Sequence, residues 1–158
     1  MHVATMAGHH IRRLHQISTQ VFARSMHEAG LDITPVQFAA LDALCANPGI
    51  DQAGVAALIA CDRATAGGVI DRLVDKHMVA RIINARDRRA RELHLTQAGR
   101  IVFDAALPLA RNAQDEIVRG LTRDERAMLL KLIGKAIATA DPDGDARSAH
   151  APAPLART

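Results

Sequence analysis

Between Asp51 and Leu95 the spacing of apolar residues changes once, and that change constrains the fold more than any other feature of the chain. Val55, Leu58 and Ile59 fall at helical spacing, and so do Val69, Ile70, Leu73 and Val74. Only Ala60-Cys61-Asp62 separate the two runs. Asp51 and Asp62 each stand where a side-chain carboxylate accepts from the first turn of a helix. Two short helices joined by about three residues make a helix-turn-helix. After Lys76 the period falls to two. Arg91-Glu92-Leu93-His94-Leu95 alternates as a half-buried strand does, and Val79 to Ile83 is its expected partner. The loop between them, Asn84-Ala85-Arg86-Asp87-Arg88-Arg89-Ala90, is a basic hairpin tip.

Longer helices are expected on both sides. Ile11, Leu14, Ile17, Val21, Phe22 and Met26 make one amphipathic helix, closed near Gly30. Thr34-Pro35-Val36-Gln37 opens a second: Thr caps, Pro takes the first position and Gln closes a capping box. Asn47-Pro48-Gly49 stops it. Thr96 caps a long helix through Phe103, Ala106 and Leu109, with Pro108 inside it. Thr122-Arg123-Asp124-Glu125 is a further capping box, before Met128, Leu129, Leu132, Ile133 and Ile137. The expected fold is mainly α: a winged helix-turn-helix in the order of four helices, a β-hairpin wing and two helices. Residues 1–9 read as a flexible arm, 10–33 and 97–140 as dimerisation helices, 34–96 as the DNA-binding domain and 141–158 as a disordered tail. The apolar faces of the terminal helices exceed what one small domain can cover, which favours pairing with a second copy.

Charge is unevenly spread. Residues 63 to 91 hold eight Lys and Arg against three Asp, a surplus of five, whereas the whole chain has a formal net charge of +3. One segment therefore carries the entire positive excess, as a polyanion partner at a single surface requires. With no Trp, no Tyr and three Phe, the chain lacks the exposed aromatics that grip single strands by base stacking. Two cysteines in 158 residues exclude a disulfide scaffold. No run approaches the ~20 apolar residues of a membrane helix, and the first ten residues show no secretory signal, so a cytoplasmic location is expected. Neither Gly-x-Ser-x-Gly, a P-loop nor His-Glu-x-x-His occurs, so no enzyme is expected. The eight His show no metal-binding spacing, so neither metal nor other cofactor is expected.

Asp62-Arg63-Ala64-Thr65, then Val69-Ile70-Asp71-Arg72-Leu73, and above all Asp87-Arg88-Arg89-Ala90 followed by Leu95-Thr96-Gln97-Ala98-Gly99 resemble the MarR family of bacterial transcription regulators. The resemblance spans residues 10 to 140. It implies an obligate homodimer on a pseudo-palindromic duplex operator, usually a repressor released by a small ligand. The chain departs from the family where His77 stands in place of the usual Gly after the recognition helix. It also carries Gly67-Gly68 inside that helix, each costing ~1 kcal/mol relative to Ala.

On the DNA side, a recognition helix reads bases through its N-terminal side chains, here Arg63 and Thr65. Arg63 suits guanine, its alternative being a phosphate. Gly67 and Gly68 admit close backbone approach or serve helix packing. At the wing tip the resemblance implies that Asp87 orients Arg89 into the minor groove, while Arg86 and Arg88 take phosphates. On the ligand side, Ile11, His15, Ser18, Phe22 and Met26 share a stripe of the first helix. His15 and Ser18 either bond to neighbouring helices or join Phe22, Met26 and Phe38 around a pocket between the first, second and fifth helices, with Arg12 or Arg13 at its edge. Such a pocket suits a small aromatic carboxylate. Arg13-Leu14-His15-Gln16 resembles members that control aromatic or N-heteroaromatic acid breakdown, such as that of nicotinate. Two other readings stand beside this one. The first is a thiol-based oxidative-stress sensor using Cys61 or Cys45, although Cys45 reads as a small core residue. The second is a non-specific architectural DNA protein, which predicts no operator preference.

Overall fold

The computed structural model describes residues 3–83 and 91–140. Arg86, Asp87, Arg88 and Arg89 lie outside the described residues, as does the tail from 141 onward. A 3-10 turn at Val3–Thr5 precedes helix α1, Ala7–Glu28, so the helix begins within the stretch expected as a loose arm. Its end follows from Gly30. With φ 69° that residue turns the chain so that Gly30 N–H donates to His27 O and Leu31 N–H to Met26 O, a Schellman motif. Helix α2, Pro35–Ala46, starts on the expected capping box: Gln37 N–H donates to Thr34 Oγ1, and Thr34 N–H to Gln37 Oε1.

Helix α3, Gln52–Leu58, is capped by Asp51, which accepts from Gly54 N–H at 2.8 Å. Ala60, at φ 52°, closes it through the same Schellman pattern, with Cys61 N–H donating to Ala56 O at 3.0 Å. Helix α4, Arg63–Asp75, follows at once and completes the helix-turn-helix. Strands β1, Val79–Ile83, and β2, Arg91–Leu95, pair antiparallel with Val79 opposite Leu95. The α2–α3 loop holds the other edge of β2: Gly49 N–H donates to Leu93 O and Leu93 N–H to Ile50 O, both at 3.0 Å. Both edges of the inner wing strand are therefore hydrogen-bonded.

Helix α5, Gln97–Ile117, runs unbroken through Pro108, and helix α6, Arg123–Ala140, opens on the expected box of Thr122 and Glu125. Arg126 fixes the corner between them, donating to Leu121 O and to Asp115 Oδ1. The main core joins α2, α3, α4, the hairpin and α5 through Leu41, Leu44, Val55, Ile70, Leu73 and Phe103. A smaller one joins α1 to α5 through Phe22, Met26, Ile33, Ala106 and Ala110. Phe38 belongs to both, standing 5.8 Å from Phe22 and 5.6 Å from Phe103 between ring centroids. All three aromatic residues of the chain thus form one stack, each pair contributing about 1 kcal/mol beyond its burial.

The remaining apolar surface faces outward. Helix α6 buries no residue, leaving Met128, Leu132, Ile133 and Ile137 exposed. Ile11 and Ile17 on α1 are exposed as well. Among the described residues no single helix is long and apolar enough to cross a membrane.

Candidate nucleic-acid interface and effector cavity

The start of α4 is organised by Asp62. Its Oδ1 accepts from Thr65 N–H at 2.9 Å and its Oδ2 from Thr65 Oγ1 at 2.6 Å. These bonds, that of the hydroxyl foremost, hold the Asp62 carboxyl below its ordinary pKa. The Thr65 hydroxyl, expected to read bases, is thus donating within the cap. Arg63 is exposed and makes no ion pair among the described residues. Ala66, Val69, Ile70 and Leu73 are buried, so the opposite side of α4 carries Ala64, Gly68, Asp71 and Asp75. Asp71 is neutralised by Arg81 of β1, which donates to it at 2.6 Å.

The far end of α4 is a junction of three elements. Lys76 caps it, and His77 at φ 57° supplies the left-handed turn, with Met78 N–H donating to Leu73 O. Thr96 Oγ1 donates to His77 O at 2.7 Å, while Thr96 N–H donates to Met78 O at 3.0 Å. The same Oγ1 accepts from Gly99 N–H and so caps α5. A Cβ at Gly99 would lie 2.1 Å from Met78 O, so only glycine lets α5 start against this turn. The Leu-Thr-x-x-Gly run is therefore a joint between α5 and the recognition helix. Lys76 adds a third connection, its Nζ donating to Asp32 O at 2.5 Å and to Asp32 Oδ2 at 2.7 Å.

Asp32 lies in the elbow between α1 and α2, and the elbow borders a cavity of about 630 Å³. Thr19, Ala23, Met26, Leu31, Ile33 and Pro35 line it, with His27 and Asp32 at the polar side. Of the residues expected around a pocket, Met26 alone lines this cavity. Phe22 and Phe38 are in the aromatic stack, Ser18 is half-buried, and Arg12, Arg13 and His15 are exposed on the N-terminal half of α1. The cavity thus opens nearer the C-terminal end of α1 than the expected set. Its α1 lining falls at steps of four, three and one, a stripe visible in the sequence only once Asp32 to Pro35 are known to fold against it. The Lys76–Asp32 pair joins residues 44 positions apart, with no local signal to reveal it. Cys45 and Cys61 are free and half-buried, Cys45 beside the Arg100 guanidinium and Cys61 in the α3–α4 turn.

Comparison with known proteins agrees with this geometry. A family model described as MarR family matches residues 31–90. The transcriptional regulator HosA of Escherichia coli is 30% identical over 139 residues, 88% of this chain and all of the relative. The HTH-type transcriptional repressor NicR of Pseudomonas putida is 31% identical over 135 residues, 85% of this chain and 84% of its own. Among solved structures, Bordetella bronchiseptica BpsR, described with regulation of its DNA binding by 6-hydroxynicotinic acid, superposes with a TM-score of 0.80 at 29% identity. That match covers 86% of this chain and 96% of BpsR.

Proposed function

Because this chain belongs to the MarR family of transcriptional regulators, we propose that it is a homodimeric, sequence-specific repressor released from a palindromic operator by a small aromatic acid of the hydroxybenzoate or hydroxynicotinate type. The observation that carries the effector part is the attachment of the cavity wall to the end of α4 through Lys76 and Asp32. A guest seated against the elbow acts on a segment hydrogen-bonded to the recognition helix, at a volume ordinary for small-molecule sites. The regulation of BpsR by 6-hydroxynicotinic acid supports the ligand class, and the relative NicR, a repressor, supports the direction of control.

Two recognition helices must match successive major grooves, about one helical turn apart. A ligand that prefers another spacing shifts the population away from the DNA-competent form. The exposed apolar sides of α1 and α6 supply the surface that holds two copies together. Arg63 contacts the major groove and Arg89 the minor groove, with Asp87 orienting Arg89 and Arg86 and Arg88 on phosphates. Footprinting on DNA flanking the chain's own gene, with and without salicylate and 6-hydroxynicotinate, tests the reading. A twofold-symmetric footprint that weakens with one of the acids is expected. Uniform coverage of all DNA, or indifference to both acids, refutes the corresponding part.

A further inference from the structure

The recognition helix offers DNA few side chains of its own. On its first two turns Ala64, Gly67 and Gly68 carry at most a methyl group, and the Thr65 hydroxyl donates to Asp62. Arg63 is the remaining long side chain of those turns. Beside Gly67, however, the flank of α4 that meets α3 is occupied by another helix's residue. A Cβ at Gly67 would lie 2.9 Å from Gln52 Nε2 and 3.8 Å from its Cδ, so the carboxamide of Gln52 rests in the notch that the missing side chain leaves. By contrast, nothing lies within 4 Å of a Cβ placed at Gly68. Gln52 is half-exposed, and its carboxamide makes no hydrogen bond among the described residues. A donor and an acceptor on one planar group thus stand uncommitted on the flank of α4 that also bears Arg63.

We propose that Gln52 of α3 is a specificity-determining residue, reading an adenine in the major groove in place of the side chain that α4 lacks at Gly67. The inference rests on the reading of α4 as the recognition helix and adds a reader from outside it. A carboxamide matches adenine because its N–H donates to N7 while its oxygen accepts from the N6 amino group. Thymine, cytosine and guanine do not present that pair in the major groove. The double glycine gains a purpose: Gly67 makes room for a neighbour's amide, and Gly68 leaves the adjoining surface open.

Selection from randomised duplexes tests this, using the full-length protein and the variants Gln52→Ala, Gly67→Ala and the double variant. Wild-type protein is expected to enrich a symmetric site with adenine at one position of each half. Gln52→Ala should flatten that single position, costing roughly tenfold in preference, and leave the others sharp. Gly67→Ala should do the same, because its methyl group displaces the amide, even though alanine favours the helix and raises the thermal midpoint. Loss of preference in a stabilised protein separates reading from folding. The double variant should match either single one, as expected for residues acting through one contact. An enriched site whose adenine preference survives Gln52→Ala overturns the proposal, and so does uniform weakening at every position, the mark of a phosphate contact. If wild-type protein enriches no site, the reading of α4 itself falls as well.

Discussion

His77 occupies a left-handed conformation at φ 57°, closing the recognition helix where a glycine would serve without strain. The Schellman bonds of this turn are complete, so the backbone geometry is imposed whatever the side chain. His77→Gly should therefore stabilise the fold by about 1 kcal/mol, a rise of a few degrees in the calorimetric midpoint. An unchanged or lower midpoint would show that the imidazole is held by something else. Asp62 gives a second test. Its folded pKa is depressed, so its stabilising contribution is complete above the ordinary carboxylate range and disappears as pH falls through the folded value. Asp62→Asn keeps a capping oxygen but cannot titrate. Its stability should match wild type near neutrality and fall less steeply in acid, as measured by denaturant unfolding across pH. Local devices of this kind are legible in the sequence because they span three residues: Thr34 with Gln37, Asp51 with Gly54, Asp62 with Thr65, Thr96 with Gly99 and Thr122 with Glu125 all meet at that spacing.

Elements were legible as far as their periods, and their attachments were not. Alternation located β2, with β1 placed as its partner on a weaker pattern, and helical spacing located α1 to α6, because such patterns report which face is apolar. The same patterns are silent about what does the covering. Phe22 and Phe38, expected beside a pocket, stand next to each other and to Phe103, a neighbour that neither residue's surroundings in the sequence reveal. The tie from Lys76 to Asp32 is set by the path of the chain and is invisible in either residue's neighbourhood. It should carry the effector's influence, so Lys76→Met is expected to leave operator affinity within a fewfold of wild type. The ratio of affinities without and with the acid should fall by about two- to fivefold, the range of an exposed ion pair. Titration of labelled operator DNA at fixed effector concentration measures that ratio, and a full response in the variant would route the signal elsewhere, with the α5 joint at Thr96 and Gly99 next in line.

At the scale of the molecule, the chain has two unequal parts. The helix-turn-helix and wing surround a closed core, whereas α6 and the first half of α1 turn apolar residues to the outside. Ile133→Glu, placed on the uncovered side of α6, should leave the central core intact and convert a dimer to monomers in sedimentation, with loss of cooperative operator binding. A dimer that persists would place the contact on α1 alone. The same asymmetry has a consequence for the protein at low copy number. An 18-residue helix with no buried side chain is held mainly by its capping box and by Arg126 at the α5–α6 corner, and a free peptide of that length is marginal in water. Dilution should therefore unwind α6 well before the wing loosens, seen as falling far-ultraviolet ellipticity and a melting point that drops with concentration. On that expectation, the cell's supply of chains decides how many complete regulators exist.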